Sequence, residues 1–107
     1  MNRAEHLLTI VTEEAVEVAQ RATKALRFGL TEVQPGQDLS NWERLCGEVC
    51  DLIAALEMAS GGELILNREL IEAKKVKVEK YLAYSAELGT LTQQDAPGVQ
   101  NTRGGEQ

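Results

Sequence analysis

Apolar side chains recur every three or four positions along three stretches of the chain, which is the spacing of an amphipathic α-helix. The first stretch covers residues 2–28, the second covers residues 41–59 and the third covers residues 63–87. Gly29 directly follows the first stretch, at a position where glycine commonly ends a helix. The pattern therefore predicts an all-α fold in which these helices form a bundle.

The two connections between these stretches carry local signals for helix ends. Residues 30–39 include an adjacent proline and glycine, which predict a loop. Ser40 precedes the second stretch and Glu43 stands three residues later, so the two residues predict a capping box. Glycines at positions 61 and 62 end the second helix, and the third stretch has a candidate break near Asn67.

The composition of the chain changes after residue 88. Residues 89–107 are rich in Gln, Gly and Thr, and their apolar residues are isolated. Such a segment buries too little apolar surface to offset the entropy cost of ordering. We therefore expect a helical domain at residues 1–88 and a flexible C-terminal tail at residues 89–107.

Two pairs of acidic residues occupy equivalent places on the first and second helices. Glu14 and Glu17 form one pair, Glu48 and Asp51 form the other, and residues three apart are neighbours on a helix face. On a helical wheel of about 100° per residue, Glu14 and Glu48 fall inside the apolar stripes, and the other two acids lie at the margins. A buried, unpaired carboxylate is costly. We therefore expect the two helices to face each other across a cation.

The donor atoms of this predicted site indicate which cation it would hold. Four carboxylates without histidine or thiolate form a hard oxygen site, which suits Mg²⁺ and allows Mn²⁺ to substitute. The competing interpretation is that these are solvated surface acids on helices rotated slightly from the wheel. Two matched pairs, both at the edge of an apolar stripe, favour the metal site.

Composition bears on partners and on location. Only four of the 107 residues are aromatic, and the helical stripes are rich in alanine, so we expect burial to be completed in a homo-oligomer, either a dimer or a tetramer. The net charge of −6 argues against a nucleic-acid polymer as partner, because phosphate contacts need a basic surface. The chain has no run of about 18 apolar residues and no signal-peptide pattern, so we expect a cytoplasmic protein without a membrane span.

The two cysteines, Cys46 and Cys50, lie one helical turn apart. That spacing is poorly suited to a disulfide. We expect both to be small core residues, as cysteine thiols often are.

Lysines accompany the apolar stripe of the third helix. Lys74 falls on that stripe, and Lys75 and Lys77 flank it. One interpretation is that their stems lie along the core while the ammonium groups stay in water. The other is that a basic face opposite an acidic metal site binds a polyphosphate.

The acidic residues also carry a family resemblance. The pattern Glu13-Glu14-x-x-Glu17 on one helix, followed after a loop by Glu48-x-x-Asp51 on the next, resembles the MazG-like all-α nucleoside triphosphate pyrophosphohydrolases. The small single-domain form of phages and bacteria is the most similar type. The resemblance covers residues 3–88 and includes the helix order. It implies an antiparallel helical bundle that is completed by oligomerisation, as in a homotetramer built from two dimers.

The resemblance implies an activity and a set of site residues. The activity is Mg²⁺-dependent cleavage of a nucleoside triphosphate between the α and β phosphates, giving monophosphate and pyrophosphate, with a purine deoxynucleotide such as dGTP as the first substrate to test. The metal ligands implied by position are Glu14, Glu17, Glu48 and Asp51. Glu13 matches the first acid of the motif and lies on the outer side of its helix. The substrate-binding residues implied on the third helix are Lys74, Lys77 and Tyr81.

Two other functions stay open. A related branch with the same fold hydrolyses phosphoribosyl-ATP, and it usually carries a lysine three residues before the double glutamate and a histidine after the second motif. This chain has Ile10 at the first place, and its single histidine is His6. The other alternative is a non-catalytic helical assembly module, such as a toxin–antitoxin adaptor, whose acids are simply solvated.

Overall fold

The structure is a computed structural model that describes residues 1–92. Three α-helices follow one another: α1 spans Arg3–Phe28, α2 spans Asn41–Ala59 and α3 spans Arg68–Leu88. No strand occurs in residues 1–92, where one isolated antiparallel bridge joins Val33 and Ser40. The predicted all-α class is confirmed. None of the helices in this part of the chain is long and apolar enough to cross a membrane.

Both ends of α1 are fixed by caps. The side-chain oxygen of Asn2 accepts a hydrogen bond of 2.8 Å from the Glu5 N–H, and the Glu5 carboxylate accepts one of 2.9 Å from the Asn2 N–H. At the other end, Gly29 has a φ of 105°, which glycine adopts without a Cβ clash, and its N–H donates to the Ala25 carbonyl at 2.8 Å. The predicted end at Gly29 is confirmed.

Asn41 ties the start of α2 to the end of α1. Its side chain is only 2% exposed, and its Nδ2 donates to the Gly29 carbonyl and to the Glu32 carboxylate, both at 2.8 Å. Next to it, the Trp42 N–H donates to the Leu30 carbonyl at 2.9 Å. A buried amide with satisfied hydrogen bonds fixes the loop. The chain therefore turns back, and α2 packs antiparallel to α1.

α2 begins and ends where the sequence predicts. The Ser40 hydroxyl accepts a hydrogen bond of 3.1 Å from the Glu43 N–H, and the Glu43 carboxylate accepts one of 2.9 Å from the Ser40 N–H. Beyond Ala59, Gly61 and Gly62 have φ angles of 75° and 99°, so the chain leaves the helical direction there. The predicted capping box and the predicted glycine stop are both confirmed.

α1 and α2 pack against each other in a compact unit that spans Met1–Leu64. Its buried apolar residues are Leu7 and Ala25 on α1 and Ala55 on α2. Half-buried apolar residues surround them, namely Ile10, Val11, Val18, Leu45, Leu52, Leu56 and Ala59. The core is small because two helices cover only one stripe of each other and alanine fills much of that stripe.

Several residues on the apolar arcs of α1 and α2 are exposed in this unit. Leu26 is 71% exposed, and Val49 and Ile53 are each 37% exposed. Both cysteines are also exposed, so the prediction that they are core residues is wrong for this chain. The physical reason is that the apolar arc of each helix is wider than the contact with a single neighbouring helix.

Exposed apolar residues of α1 and α2 share one side of the helix pair, and we call this side the outer apolar face. On the wheels of two antiparallel helices, these residues lie on one side of the pair, and Glu17 and Asp51 lie on the opposite side. The face consists of Leu8, Ala15, Ala19, Ala22 and Leu26 from α1 and Trp42, Cys46, Val49 and Ile53 from α2. Such a face is a candidate interaction surface.

α3 belongs to a second compact unit, which begins at Ile65. It starts at Arg68 rather than at residue 63, because Asn67 has extended backbone and caps the helix by accepting a 3.0 Å hydrogen bond from the Leu70 N–H. The prediction of helix over residues 63–67 is therefore wrong, and the candidate break near Asn67 is the true start. Gly89 ends α3 with a φ of 81°. Most of the tail predicted at 89–107 lies outside the described residues.

Candidate metal centre

Three carboxylates from α1 and α2 converge at the middle of the helix pair. One oxygen from each of Glu14, Glu17 and Glu48 lies within 4.8 Å of the others. Glu14 and Glu17 are brought together by one turn of α1, whereas Glu48 arrives from α2. We call these three residues the carboxylate cluster. A cation between them could contact all three, because oxygen ligands of divalent cations stand about 2–2.5 Å from the metal.

Burial divides the acids of this region into an inner and an outer set. Glu14 and Glu48 are half-buried, and one carboxylate oxygen of each is buried without a hydrogen-bond partner in residues 1–92. Glu17 and Asp51 are exposed. The wheel prediction that one acid of each pair lies in the stripe and the other at its edge is confirmed. The buried oxygens leave the inner acids in need of a partner.

The local electrostatics raise the pKa of both inner acids. For Glu14 the largest cause is desolvation, followed by the negative charges of Glu17, Asp51 and Glu48. For Glu48 desolvation again comes first, then the negative charges of Glu17 and Asp51, while the positive charge of Arg21 lowers its pKa. The folded chain therefore holds like charges close together at the middle of the helix pair. Perturbed pKa values of this kind are common at functional sites.

The chemistry of the cluster fits a hard divalent cation. All its donors are carboxylate oxygens, which are the ligands that Mg²⁺ and Mn²⁺ prefer. A cation would satisfy the two buried oxygens and remove the mutual repulsion that raises the pKa values of the inner acids. The residues present thus fit the ion that the sequence predicts.

The other two acids of the motif lie at the edge of the cluster. Asp51 is outside the group of three carboxylates, although its charge raises the pKa of both Glu14 and Glu48. Glu13 is exposed and affects only Glu14 among these shifted groups. Asp51 therefore acts on the inner acids through its charge, whereas Glu13 lies on the exposed side of α1, as predicted.

The residues predicted to bind substrate on α3 are all exposed. Lys77 and Tyr81 line one shallow depression on this helix together with Lys80. Lys74 lines a different depression, with Lys75 and Leu70. Lys74, Lys77 and Tyr81 are spaced three and four residues apart, so all three lie along one face of α3.

One residue near the cluster was missed at the level of sequence. Arg21 is half-buried on α1, and its Nε and Nη1 are buried without an acceptor in the described chain. Its position was readable, because it stands four residues after Glu17 and therefore follows it on the same helix face. An arginine at the edge of an apolar stripe is usually explained by its aliphatic stem, so the motif alone did not single it out.

No protein-family model, no curated protein and no solved structure matches this chain. The resemblance to the MazG-like pyrophosphohydrolases therefore stands on the acidic motif and the helix order alone.

Proposed function

We propose that this protein is a Mg²⁺-dependent nucleoside triphosphate pyrophosphohydrolase. It would convert a nucleoside or deoxynucleoside triphosphate to the monophosphate and pyrophosphate. The observation that carries the proposal is the carboxylate cluster, in which two helices bring three acids within 4.8 Å and leave two buried oxygens unsatisfied. The double acidic motif, with its similarity to MazG-like enzymes, adds the reaction type.

Charge explains why the cation is central to this proposal. A nucleoside triphosphate carries about four negative charges at neutral pH, and an acidic cluster would repel it. Bound Mg²⁺ supplies positive charge for the phosphate oxygens and Lewis-acid chemistry at the reacting phosphate. Glu14, Glu17 and Glu48 would hold the ion, and Asp51 would join them from the edge of the cluster.

The protein's own groups would handle the water and the leaving group. A carboxylate at the exposed side of the cluster would accept a proton from the attacking water and orient it toward the α phosphorus. A new phosphorus–oxygen bond forms as the bond to the α–β bridging oxygen breaks, and pyrophosphate leaves intact. Lys74, Lys77 and Tyr81 would hold the outer phosphates, where their charge and hydrogen bonds stabilise the leaving pyrophosphate.

A panel of common NTPs and dNTPs with Mg²⁺ tests the proposal, beginning with dGTP and GTP. We expect equal amounts of monophosphate and pyrophosphate. In ¹⁸O-labelled water the label should enter the monophosphate and be absent from pyrophosphate. A diphosphate with free phosphate, or label in pyrophosphate, would show attack at another phosphorus. Cleavage of phosphoribosyl-ATP alone would favour the related branch, and no turnover of any substrate would favour an assembly module.

We further propose that the protein works as a homo-oligomer, a dimer or a tetramer. The outer apolar face supports this, since Trp42 is 51% exposed and its neighbours on the face carry little charge. That face lies opposite the exposed acids, so a second copy could cover it and leave the cluster open to substrate. Light scattering should give a multiple of the 11.7 kDa chain mass.

A charge placed in the outer apolar face tests its role in assembly. Ile53→Glu should shift the protein toward the monomer, because an unpaired carboxylate would be desolvated in the interface. Leu39→Glu, in the exposed loop before α2, is the matched control and should keep the wild-type mass. An active wild-type monomer, or an Ile53→Glu variant that assembles like the control, would contradict this proposal.

A further inference from the structure

Arg21 occupies a special place on α1. It is half-buried, and two of its guanidinium nitrogens, Nε and Nη1, are buried without a hydrogen-bond acceptor in residues 1–92. An arginine does not lose its proton at physiological pH, so the charge stays on the side chain. A buried, charged donor without an acceptor is destabilising, and structures normally satisfy such groups.

Arg21 lies on the side of α1 that carries the carboxylate cluster. Arg21 follows Glu17 by one helical turn and Glu14 by two, so the three side chains share one face of α1. Even so, the two ion pairs of the described chain, Arg68–Glu72 and Lys75–Glu72, do not include Arg21. The arginine is therefore close to acids without being paired to one of them.

The carboxylates themselves are poor permanent partners for this arginine. If Glu14, Glu17 and Glu48 hold a divalent cation, their oxygens are engaged and the cation repels the guanidinium. The acceptor that Arg21 needs must then be an anion that accompanies the cation into the site. Phosphate oxygens match this requirement, because the planar guanidinium can donate two parallel hydrogen bonds to them.

We propose that Arg21 is a substrate-binding residue whose guanidinium donates to a phosphoryl oxygen of the metal-bound polyphosphate. This inference rests on the proposed function and assigns a phosphate contact within the α1–α2 unit itself. Arg21 would thus supply positive charge beside the cluster, independently of the lysines on α3. This contact would recognise the polyphosphate and would not distinguish one base from another.

A purely internal role for Arg21 makes a different prediction. If it served only as a counter-ion for Glu48, its removal would leave phosphate binding unchanged and would strengthen the binding of Mg²⁺ alone, since a nearby positive charge opposes the cation. If it binds phosphate, its removal weakens polyphosphate binding even when the cation is bound.

Calorimetry on the full chain can separate these roles with Mg²⁺ and inorganic tripolyphosphate as probes. Mg²⁺ is titrated first, and tripolyphosphate is then titrated in excess Mg²⁺, for wild type, Arg21→Gln, Arg21→Lys and Arg3→Gln. Arg3 lies in the exposed first turn of α1, so Arg3→Gln removes the same charge away from the cluster. Circular dichroism and thermal melting verify that each variant is folded.

We expect Arg21→Gln to weaken tripolyphosphate binding by about 10- to 100-fold, the scale of a charge-assisted hydrogen bond, without weakening the binding of Mg²⁺. The affinity of Arg21→Lys for tripolyphosphate should lie between those of wild type and Arg21→Gln, because lysine keeps the charge but cannot donate two parallel hydrogen bonds. Arg3→Gln should match wild type. The lysine variant keeps the test decisive if Arg21→Gln does not fold.

The outcomes separate this inference from the proposed function. If wild type binds Mg²⁺ and tripolyphosphate, and both Arg21 variants bind tripolyphosphate as tightly as wild type, the role of Arg21 is overturned and the metal site stands. If wild type binds no Mg²⁺ at all, both proposals are overturned together.

Discussion

The two units of this protein differ in where their side chains find partners. In the unit formed by α1 and α2, three apolar residues are buried, Asn41 ties the loop, and three carboxylates meet at the middle of the helices. In the second unit, α3 lies wholly within the described residues and has no buried residue. Leu70, for example, is 68% exposed. Its ion pairs, from Glu72 to Arg68 and to Lys75, are exposed as well.

This difference shows which part of the molecule is organised by its own packing. Surface ion pairs contribute about 0–1 kcal/mol each, and most of the stability of a helix in a protein comes from the packing of its apolar face. α3 therefore depends on burial that its own unit does not provide, which is consistent with the proposed homo-oligomer. The cluster, in contrast, is already assembled within a single helix pair. We therefore expect the chemistry to depend most strongly on the α1–α2 unit.

The largest expected effect concerns Glu48. Glu48→Gln keeps the size of the side chain but removes a ligand charge, so we expect NTP hydrolysis to fall by about 100-fold or more. Glu57→Gln, an exposed change on the same helix, is the control and should retain activity. Turnover close to wild type by a pure Glu48→Gln sample would remove the cluster from the mechanism.

The second prediction concerns stabilisation by metal. Mg²⁺ at about 100 times its dissociation constant should raise the free energy of unfolding by about 2.7 kcal/mol if it binds only the folded chain. Thermal melting with and without Mg²⁺ measures this, and Glu48→Gln should lose most of the increase. If Mg²⁺ raises the melting temperature of Glu48→Gln as much as that of wild type, the ion binds elsewhere. If Mg²⁺ does not change the melting temperature of wild type, the assembly module is favoured.

The third prediction tests how much α3 contributes. Lys77→Gln should reduce hydrolysis by about 10-fold, because one charged hydrogen bond to the leaving phosphates is lost. Lys75→Gln is the matched control, since Lys75 is engaged with Glu72 at 3.0 Å. If Lys77→Gln hydrolyses NTP as fast as the control, α3 contributes less to hydrolysis than proposed, and the phosphate contacts come from other residues.

The fourth prediction concerns pH in the absence of metal. Because the folded state raises the pKa of Glu14 and Glu48, the folded chain binds more protons than the unfolded chain in the window above the ordinary glutamate pKa of about 4.3. Their contribution to stability is present at low pH and is lost as the pH rises through that window. Glu14→Gln in chelator should therefore melt higher than wild type at pH 7, with a smaller difference near pH 4.5.

The control for this pH effect is Glu57→Gln, which changes net charge by the same amount on an exposed site. If the control stabilises the metal-free chain as much as Glu14→Gln does, the effect belongs to overall charge. The repulsion within the cluster would then be too weak to matter for stability.

The smallest effect is expected from the C-terminal tail. A chain that stops after Thr92 keeps the Gly89 cap of α3 and all the proposed site residues, the last of which is Tyr81. Hydrolysis should stay within about twofold of the full chain. A loss of more than 10-fold would mean that residues 93–107 contribute to the site, to α3 or to assembly.

The sequence by itself determined the features that depend on near neighbours. The Ser40–Glu43 capping box and the helix end at Gly29 arise from residues a few positions apart, so they could be predicted closely. The division of the acids into inner and outer members also follows from helical spacing alone, because i and i+3 positions have fixed angles on a helix. The same rule did not locate the start of α3, where the apolar pattern continues before Asn67 but the backbone is extended.

Only the tertiary structure decided which faces meet. The register of α2 against α1 brings Glu48 to Glu14 and Glu17, and it leaves Arg21 beside them without an acceptor in the described chain. The same packing exposes Cys46, which we expected in the core, and Ile53, which lies on the apolar arc of α2. Periodicity gives the apolar arc of a helix but not its neighbour or its relative shift. Those are fixed by side chains far apart in the sequence, such as Asn41, which joins the end of one helix to the start of the next.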